Sequence, residues 1–384
     1  MKLIILADDL TGAADCAARC RQAGLAATIT LPGARVCKSG GAICCTTDSR
    51  HLPAELAARR VHELATSLST PAGSIWYKKI DSTLRGHLGQ ELDALLDARG
   101  RSCALVCPAF PAQRRGLQDG YLVTDPAPVQ PLHLPALLDR QSRRLVVAIG
   151  LADVRAGVGR LADRLRAERA GGAELLVADA LDEADLYMLL EAGLAALPDA
   201  LFCGSAGLAG TLASYAARRS LPRSEAPAPP VAGSALLVIG SGSAMAQRQI
   251  AYLGRHQLVA AFENSAAIPA AYQGDVLLHL PAPDTSTLMD GPAARQLAEQ
   301  LAAAALPLID GMRPGLLVLS GGDTAISVLA RMGVTQLVVQ RELLPGVPLT
   351  HGVDAAGRSY TIVLKAGNHG DEAALAAVLA RTRA

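Results

Sequence analysis

A short apolar run, a turn of glycine, hydroxyl or acidic residues, then a helical stretch: this unit recurs along the chain and constrains it most. Leu236-Leu237-Val238-Ile239 empties into Gly240-Ser241-Gly242-Ser243, and Leu316-Leu317-Val318-Leu319 into Ser320-Gly321-Gly322-Asp323-Thr324. Strands that alternate with helices pair in parallel through crossover connections, in a sheet covered on both faces. Ligands of such sheets bind beyond the carboxyl ends of the strands. A glycine turn opening a helix there aims backbone N–H groups and a helix dipole at one point, which favours a phosphate. Serine and threonine add hydroxyl donors. A third cluster, Lys365-Ala366-Gly367-Asn368-His369-Gly370, strengthens the case for a nucleotide.

The pattern predicts strands at Lys2–Ala7, Ala26–Thr30, Ala42–Thr46, Ser74–Lys79, Cys103–Cys107, Arg144–Ile149, Glu174–Ala178 and Leu201–Gly204. Helices are expected near Gly12–Ala23, Pro53–Leu68, His87–Ala98, Leu151–Glu168, Glu183–Leu197 and Ala206–Arg219. A proline-rich stretch from Ser220 cannot continue a helix and reads as a stiff linker. Beyond it, strands are expected near Ala235–Ile239, Leu258–Glu263, Val276–Leu280, Gly315–Leu319, Leu337–Val339 and Tyr360–Lys365, with a closing helix at about Asp371–Arg381. The expected architecture is α/β with two domains, 1–219 and 233–384, joined by a linker at 220–232. Each would be a mainly parallel sheet flanked by helices, with an interdomain cleft.

Composition removes several classes of function. A net charge of +1 and 3% aromatic residues argue against a nucleic-acid surface. No apolar run approaches the roughly 18 residues that span a bilayer. The first residues read as a strand running into Asp8 and Asp9, too short and too soon acidic for a signal peptide. The eight cysteines make no Cys-x-x-Cys pair and read as buried thiols of a reducing compartment, so a cytoplasmic location is expected. The oligomeric state is left open, a homo-oligomer included. Lysine is scarce: Lys2, Lys38, Lys78, Lys79 and Lys365 are the five among 36 lysines and arginines. Three of them stand in polar motifs, where a compact point charge has a use.

Three polar clusters follow strands in the first half. In Asp8-Asp9-Leu10-Thr11-Gly12-Ala13-Ala14-Asp15, capping by Asp or Thr11 explains one acidic residue but not two adjacent carboxylates at the end of a buried strand. Thr46-Thr47-Asp48-Ser49-Arg50 suits either an ordinary polar loop or a grip on a carboxylate or sugar hydroxyls. Lys78-Lys79-Ile80-Asp81-Ser82-Thr83-Leu84-Arg85-Gly86 combines cations, hydroxyls and a carboxylate; Asp81, Ser82 or Thr83 suits a helix cap, and Lys79 and Arg85 suit an anionic substrate. Cys107-Pro108-Ala109-Phe110-Pro111, with Arg114 and Arg115 behind it, is a rigid loop that either walls a pocket or holds no ligand. The histidines show no metal-ligand spacing, and there is neither a Gly-x-Ser-x-Gly elbow nor a P-loop. Neither glycine turn gives Gly-x-Gly-x-x-Gly with an acidic residue about 20 positions on, which argues against a dinucleotide-dependent dehydrogenase.

In order along nearly the whole chain, these motifs resemble those of the four-carbon acid sugar kinases. The first-half motifs are Ala7-Asp8-Asp9-Leu10-Thr11-Gly12-Ala13, Lys79 to Gly86 and Cys107 to Pro111. The second-half motifs are Gly240 to Ser243, Ser320 to Thr324 and Lys365 to Gly370. The resemblance implies a sugar-acid-binding N-terminal domain and an ATP-binding C-terminal domain. Phosphate would pass to the terminal hydroxyl of a threonate, erythronate or 3-oxo-tetronate type of acid.

On that reading Asp9 or Asp81 orients or deprotonates the attacking hydroxyl, with Asp9 preferred. Asp8, Thr11, Arg50, Lys79, Ser82 and Arg85 bind the substrate. Ser241, Ser243, Gly321, Gly322, Asp323, Thr324, Gly346, Gly367 and Asn368 hold ATP, and Asp323 is the candidate ligand for Mg²⁺. A non-catalytic sensor of nucleotide or sugar acid, and a sugar-acid dehydrogenase, are the alternatives. Two departures from the family pattern are Ala366 and His369, where Lys-Ser-Gly-Asn-Phe-Gly is usual, and a shortened stretch between Asp119 and Arg140.

Overall fold

The computed structural model describes residues 2–34, 41–69, 71, 73–125, 130–219, 229–257, 259–262, 274–280 and 291–384. Contacts divide the chain into two units, Met1–Ala26 with Val36–Arg223, and Ala27–Arg35 with Ser224–Ala384. Along the first part run β1 (Leu3–Ala7), α1 (Leu10–Gln22), β2 (Ala27–Thr30), β3 (Ala42–Thr46), α2 (Ala54–Ser67), β4 (Ile75–Lys79), α3 (Leu88–Arg99), β5 (Ala104–Cys107), β6 (Arg115–Gln118), β7 (Tyr121–Thr124), α4 (Leu134–Gln141), β8 (Val146–Ile149), α5 (Leu151–Val154), α6 (Val158–Ala170), β9 (Leu175–Ala178), α7 (Glu183–Ala196), β10 (Leu201–Gly204) and α8 (Ala206–Arg218). Then follow β11 (Ala235–Ile239), α9 (Ala244–His256), β12 (Val259–Phe262), β13 (Asp275–His279), α10 (Pro292–Met312), β14 (Leu316–Ser320), α11 (Gly322–Met332), β15 (Gln336–Leu344), β16 (Val347–Val353), β17 (Ser359–Lys365) and α12 (Ala374–Arg383).

The first unit is a parallel sheet ordered β3-β1-β4-β10-β5-β9-β8. Its central strands are buried from end to end, which is why they read as unbroken apolar runs. One core cluster joins Ile4 and Leu6 of β1 to Val61 of α2 and to Leu92 and Leu95 of α3. Each fully buried leucine of this kind contributes about 1.5–3 kcal/mol. From β1 the chain pairs β3 on one side and then β4 on the other, so the exit of β1 is a switch point, where a crevice opens in such sheets.

In the second unit the order is β12-β13-β11-β14-β17-β16-β15-β2. The first five strands are parallel; β16, β15 and β2 continue the sheet antiparallel. The switch point falls between β11 and β14. A second core, with Leu237, Val318, Leu349, Val363 and Val378, fills this unit.

Several expectations need correcting. Within the expected domain 1–219, β2 pairs with β15, Thr30 opposite Gln336, and Ala27–Arg35 groups with the second unit. Its β-branched Thr28, Ile29 and Thr30 cover a strand edge that would otherwise be open. The second sheet is mainly parallel, as expected, but it also carries an antiparallel run, because the turn after Leu344 (Gly346 at φ 76°) folds β16 back on β15. The single helix expected at Leu151–Glu168 is broken into α5 and α6 by Gly157 at φ 100°. The stretch after Arg114, where the pattern predicts no strand, carries a hairpin, β6–β7. Residues 220–228 of the proposed linker, and 258 and 263 at the ends of one expected strand, lie outside the described residues.

Candidate functional site

At the exit of β1, Asp9 caps α1: Gly12 N donates to Oδ1 at 2.7 Å. Thr11 is not the cap; its hydroxyl donates to Asp9 Oδ2 at 2.6 Å, because the aspartate already occupies the extended position before the helix. A Cβ on Gly12 would sit 2.7 Å from Asp9 Oδ1 and 3.0 Å from Lys79 Nζ, so only glycine lets these side chains close over the helix start.

Arg50, from the loop after β3, reaches across. Its Nε and Nη2 grip Asp8 at 2.6 and 3.0 Å, Nη1 donates to Asp9 at 2.8 Å, and Nη2 stands 3.7 Å from Asp81. Past β4, Arg85 folds back on Asp81 with bonds of 2.8 and 3.2 Å, and Thr83 donates to the same carboxylate. None of Asp81, Ser82 or Thr83 caps α3, as the sequence suggested; the helix starts later, at Leu88, since the loop spends these groups on each other. That loop holds Leu84 at φ 63°, a strained conformation for a bulky residue and a mark of a shaped site. Arg115, at the start of β6, donates to Ser82 Oγ.

The electrostatics follow from this packing. Burial pushes the pKa of Asp9 up, but Arg50, Lys79 and the Thr11 hydroxyl outweigh it and hold the carboxyl below its ordinary range. Asp81 is likewise lifted by burial and pulled below its ordinary range by Arg50 and Arg85. Lys79, buried, donates to Ile80 O at 2.9 Å, and among the described residues neither it nor Arg115 forms an ion pair. Lys78 points elsewhere. It meets Glu91 at 2.8 Å, both fully buried, and Ser49 donates to Glu91 at 2.6 Å, so Lys78 braces the loops from behind. Asp15, which closes the first polar cluster but has no role in the sequence-based assignment, lies one helical turn beyond Gly12. Burial pushes its carboxyl up to about 6 against Lys79, Arg19 and Arg115, and Oδ1 has no hydrogen-bond partner. Its spacing from Gly12 on α1 was the available signal.

The second unit gathers another set. Ile239, Ser320 and Lys365 end three neighbouring parallel strands in register. Gly240 N donates to Ser320 O at 2.9 Å and Gly321 N to Lys365 O at 3.0 Å, which stitches the three turns together. Ser243 caps α9 through Ala246 N at 3.1 Å, and Ser241 Oγ lies 3.2 Å from Ser243 Oγ. A Cβ on Gly240 would fall 1.7 Å from Thr324 Oγ1, and one on Gly367 1.9 Å from Ser241 Oγ. The glycines therefore make room for hydroxyls from neighbouring turns.

Helix α11 has no side-chain cap, and the buried hydroxyls of Ser320 and Thr324 lack hydrogen-bond partners. Uncapped amides beside orphaned hydroxyls suit a phosphate group. Gly322 and Asp323 form the first turn of α11, and Asn368 lies in the turn after β17. Gly346, in the β15–β16 turn, is at the same end of the sheet, since Leu349 pairs with Val363 near the end of β17. Among the described residues no three His, Cys, Asp or Glu side chains converge as a metal site. A magnesium ion arriving with a nucleotide needs only one or two carboxylates besides the phosphates, which Asp323 fits.

Residues 3–212 match the family model described as a sugar-binding N-terminal domain, and residues 236–375 the one described as a nucleotide-binding C-terminal domain. The chain belongs to the four-carbon acid sugar kinase family. It is 32% identical to a D-threonate kinase of Cupriavidus necator, over 98% of this chain and 96% of that protein. To a 3-oxo-tetronate kinase of Burkholderia multivorans it is 30% identical, over 95% and 94%. A solved structure from Salmonella typhimurium LT2, 24% identical, superposes with a TM-score of 0.79 over 98% of each chain and shares the fold. No helix among the described residues is long and apolar enough to cross a membrane.

Proposed function

We propose that this chain transfers the terminal phosphoryl group of ATP to a hydroxyl of a four-carbon sugar acid of the threonate, erythronate or 3-oxo-tetronate type. The chain is a kinase, a phosphotransferase with an alcohol acceptor, as its family and curated relatives have it. The observation that carries the substrate class is the cluster at the exits of β1, β3 and β4. Three carboxylates and three cations, Asp8, Asp9, Asp81, Arg50, Lys79 and Arg85, pack there with the hydroxyls of Thr11 and Ser82. Such a set grips both a carboxylate and a row of hydroxyls.

Within it we assign roles by what each group already holds. Arg50 and Arg85 are occupied by Asp8 and Asp81, so the substrate carboxylate is met first by the unpaired ammonium of Lys79, with Arg85 swinging from Asp81 as substrate enters. Asp9 orients the attacking hydroxyl and takes its proton; Asp81 is the alternative, and Asp8, Thr11 and Ser82 hold the remaining hydroxyls. Phosphoryl transfer depends chiefly on positioning and charge neutralisation, so a carboxylate of low basicity is no obstacle. In the second unit, Ser241, Ser243 and Gly321 to Thr324 hold the phosphates, while Gly346, Gly367 and Asn368 line the base or ribose. Asp323 would hold Mg²⁺, which supplies cancellation of the triphosphate charge. The seven described cysteines, all buried and none in a disulfide, accord with a cytoplasmic location.

The test is ADP release across D- and L-threonate, erythronate, their 3-oxo forms and C5 and C6 acids. A turnover preference of at least tenfold for one C4 acid supports the reading. ATP-dependent turnover of none of them, with ATP bound, would favour a sensor and remove the proposed function.

A further inference from the structure

Lys365 is the one lysine of the second unit, and it ends β17 inside the cluster of strand exits. It is 1% exposed. Its ammonium donates to two carbonyls of its own turn, Ala366 O at 2.9 Å and Gly367 O at 3.3 Å. Its backbone carbonyl receives Gly321 N, and its register partner is Ser320, whose hydroxyl lacks a partner. Titratable groups on the elements around it are Asp323 on α11, Glu342 on β15, and His369 and Asp371 beyond its turn. Among the described residues none forms an ion pair with Lys365, and burial alone accounts for its altered basicity. Glu342 is engaged with Gly346 N at 2.7 Å.

A buried ammonium without a counter-charge is costly. Here it stands beside orphaned hydroxyls and an uncapped helix start, all of which an anion would satisfy. We propose that Lys365 is a phosphate-binding residue of the nucleotide site and that its side chain takes up a proton when the phosphates arrive. This rests on the reading of the second unit as the nucleotide site. Desolvation brings the free lysine down to about 7. A bound phosphate supplies the missing negative charge and moves it back up. Below pH 7 the lysine is already charged and adds no pH dependence of its own to the affinity. Above pH 7 each binding event must recruit the proton, so the affinity falls up to about tenfold per pH unit until the bound-state value is reached.

The experiment is calorimetric titration of the full chain with ADP in two buffers of different ionisation enthalpy, with adenosine and pyrophosphate as companion probes. With the free value near 7, uptake is about 0.9 proton per ADP at pH 8 and about 0.1 at pH 6. Pyrophosphate should take up the same proton and adenosine none. Lys365→Arg keeps a permanent charge and should bind ADP without uptake; Lys365→Met should bind at least tenfold more weakly at pH 6, also without uptake. ADP binding with no uptake in the wild type at pH 8, or uptake that persists in both variants, overturns the inference while leaving the nucleotide site standing. No binding of ADP at either pH overturns both.

Discussion

Replacing Arg50 with glutamine removes the one guanidinium shared by Asp8, Asp9 and Asp81. All four side chains are at least 84% buried, Arg50 at 10% exposure and the carboxylates at 6, 16 and 9%. Breaking such a buried set by deleting one partner costs about 3–5 kcal/mol, because carboxylates are left without compensation. For a unit of this size that is a fall of roughly 6–20 °C in the unfolding midpoint. The sign with pH is fixed by the directions of the shifts. Asp9 and Asp81 are held below their ordinary range in the folded wild type, so their stabilisation is present above the unfolded carboxylate range and lost as pH falls through the folded values. In the variant the lowering by Arg50 is gone while burial and the other neighbours stay, so both protonate at higher pH than in the wild type. The gap between wild type and variant should therefore be largest at pH 7 and shrink toward pH 4.5. Trp76, the only tryptophan, is buried in β4 of the same unit, so its fluorescence follows this transition. A loss below about 1 kcal/mol, or a gap equal at both pH values, would refute the shared-cation account.

Asp9→Asn keeps a competent helix cap and should cut turnover by about 10²-fold or more with a nearly unchanged unfolding midpoint; near-normal turnover takes Asp9 out of the proton-transfer role. Arg85→Ala should raise the sugar-acid KM more than it lowers kcat, and an unchanged KM excludes Arg85 from the carboxylate grip. Gly240→Ala pushes a methyl group into Thr324, where a Cβ would lie 1.7 Å from Oγ1, and should cost about 1–3 kcal/mol and weaken ATP binding with it. Wild-type ATP affinity in an equilibrium binding assay denies this if the variant retains it. Asp15, whose carboxyl burial pushes up to about 6, binds more protons folded than unfolded, so its contribution worsens as pH rises from 4 to 6. Asp15→Asn should then be stabilising at pH 7 by up to about 3 kcal/mol, read as a raised denaturation midpoint, and neutral at pH 4.

What could be read from the sequence was whatever depends on local pattern. Buried parallel strands announce themselves as apolar runs, and a turn that must bring a ligand near the backbone announces itself by glycine; both candidate clusters, at Asp8 to Gly12 and Ser320 to Thr324, follow strands read that way. What could not be read depends on partners distant in the chain. Ala27–Thr30 looks like any short strand, and only the open edge of β15 some 300 residues later decides that it pairs there. Lys78 and Lys79 are adjacent and chemically identical. Strand alternation sends one to Glu91 behind the sheet and the other toward Asp9, a difference set by which face α3 covers and which α1 covers. Capping shows the same limit: Thr11 and Thr83 are good caps by propensity, but each instead donates to a carboxylate that Arg50 or Arg85 also holds. The charges of this cluster are thus arranged for one another, and under the proposed function a substrate anion would have to exchange places with an aspartate. On the proposed function, selectivity among sugar acids would rest on how well a ligand's carboxylate and hydroxyls replace bonds that Asp8 and Asp81 already make, not on the presence of cations alone.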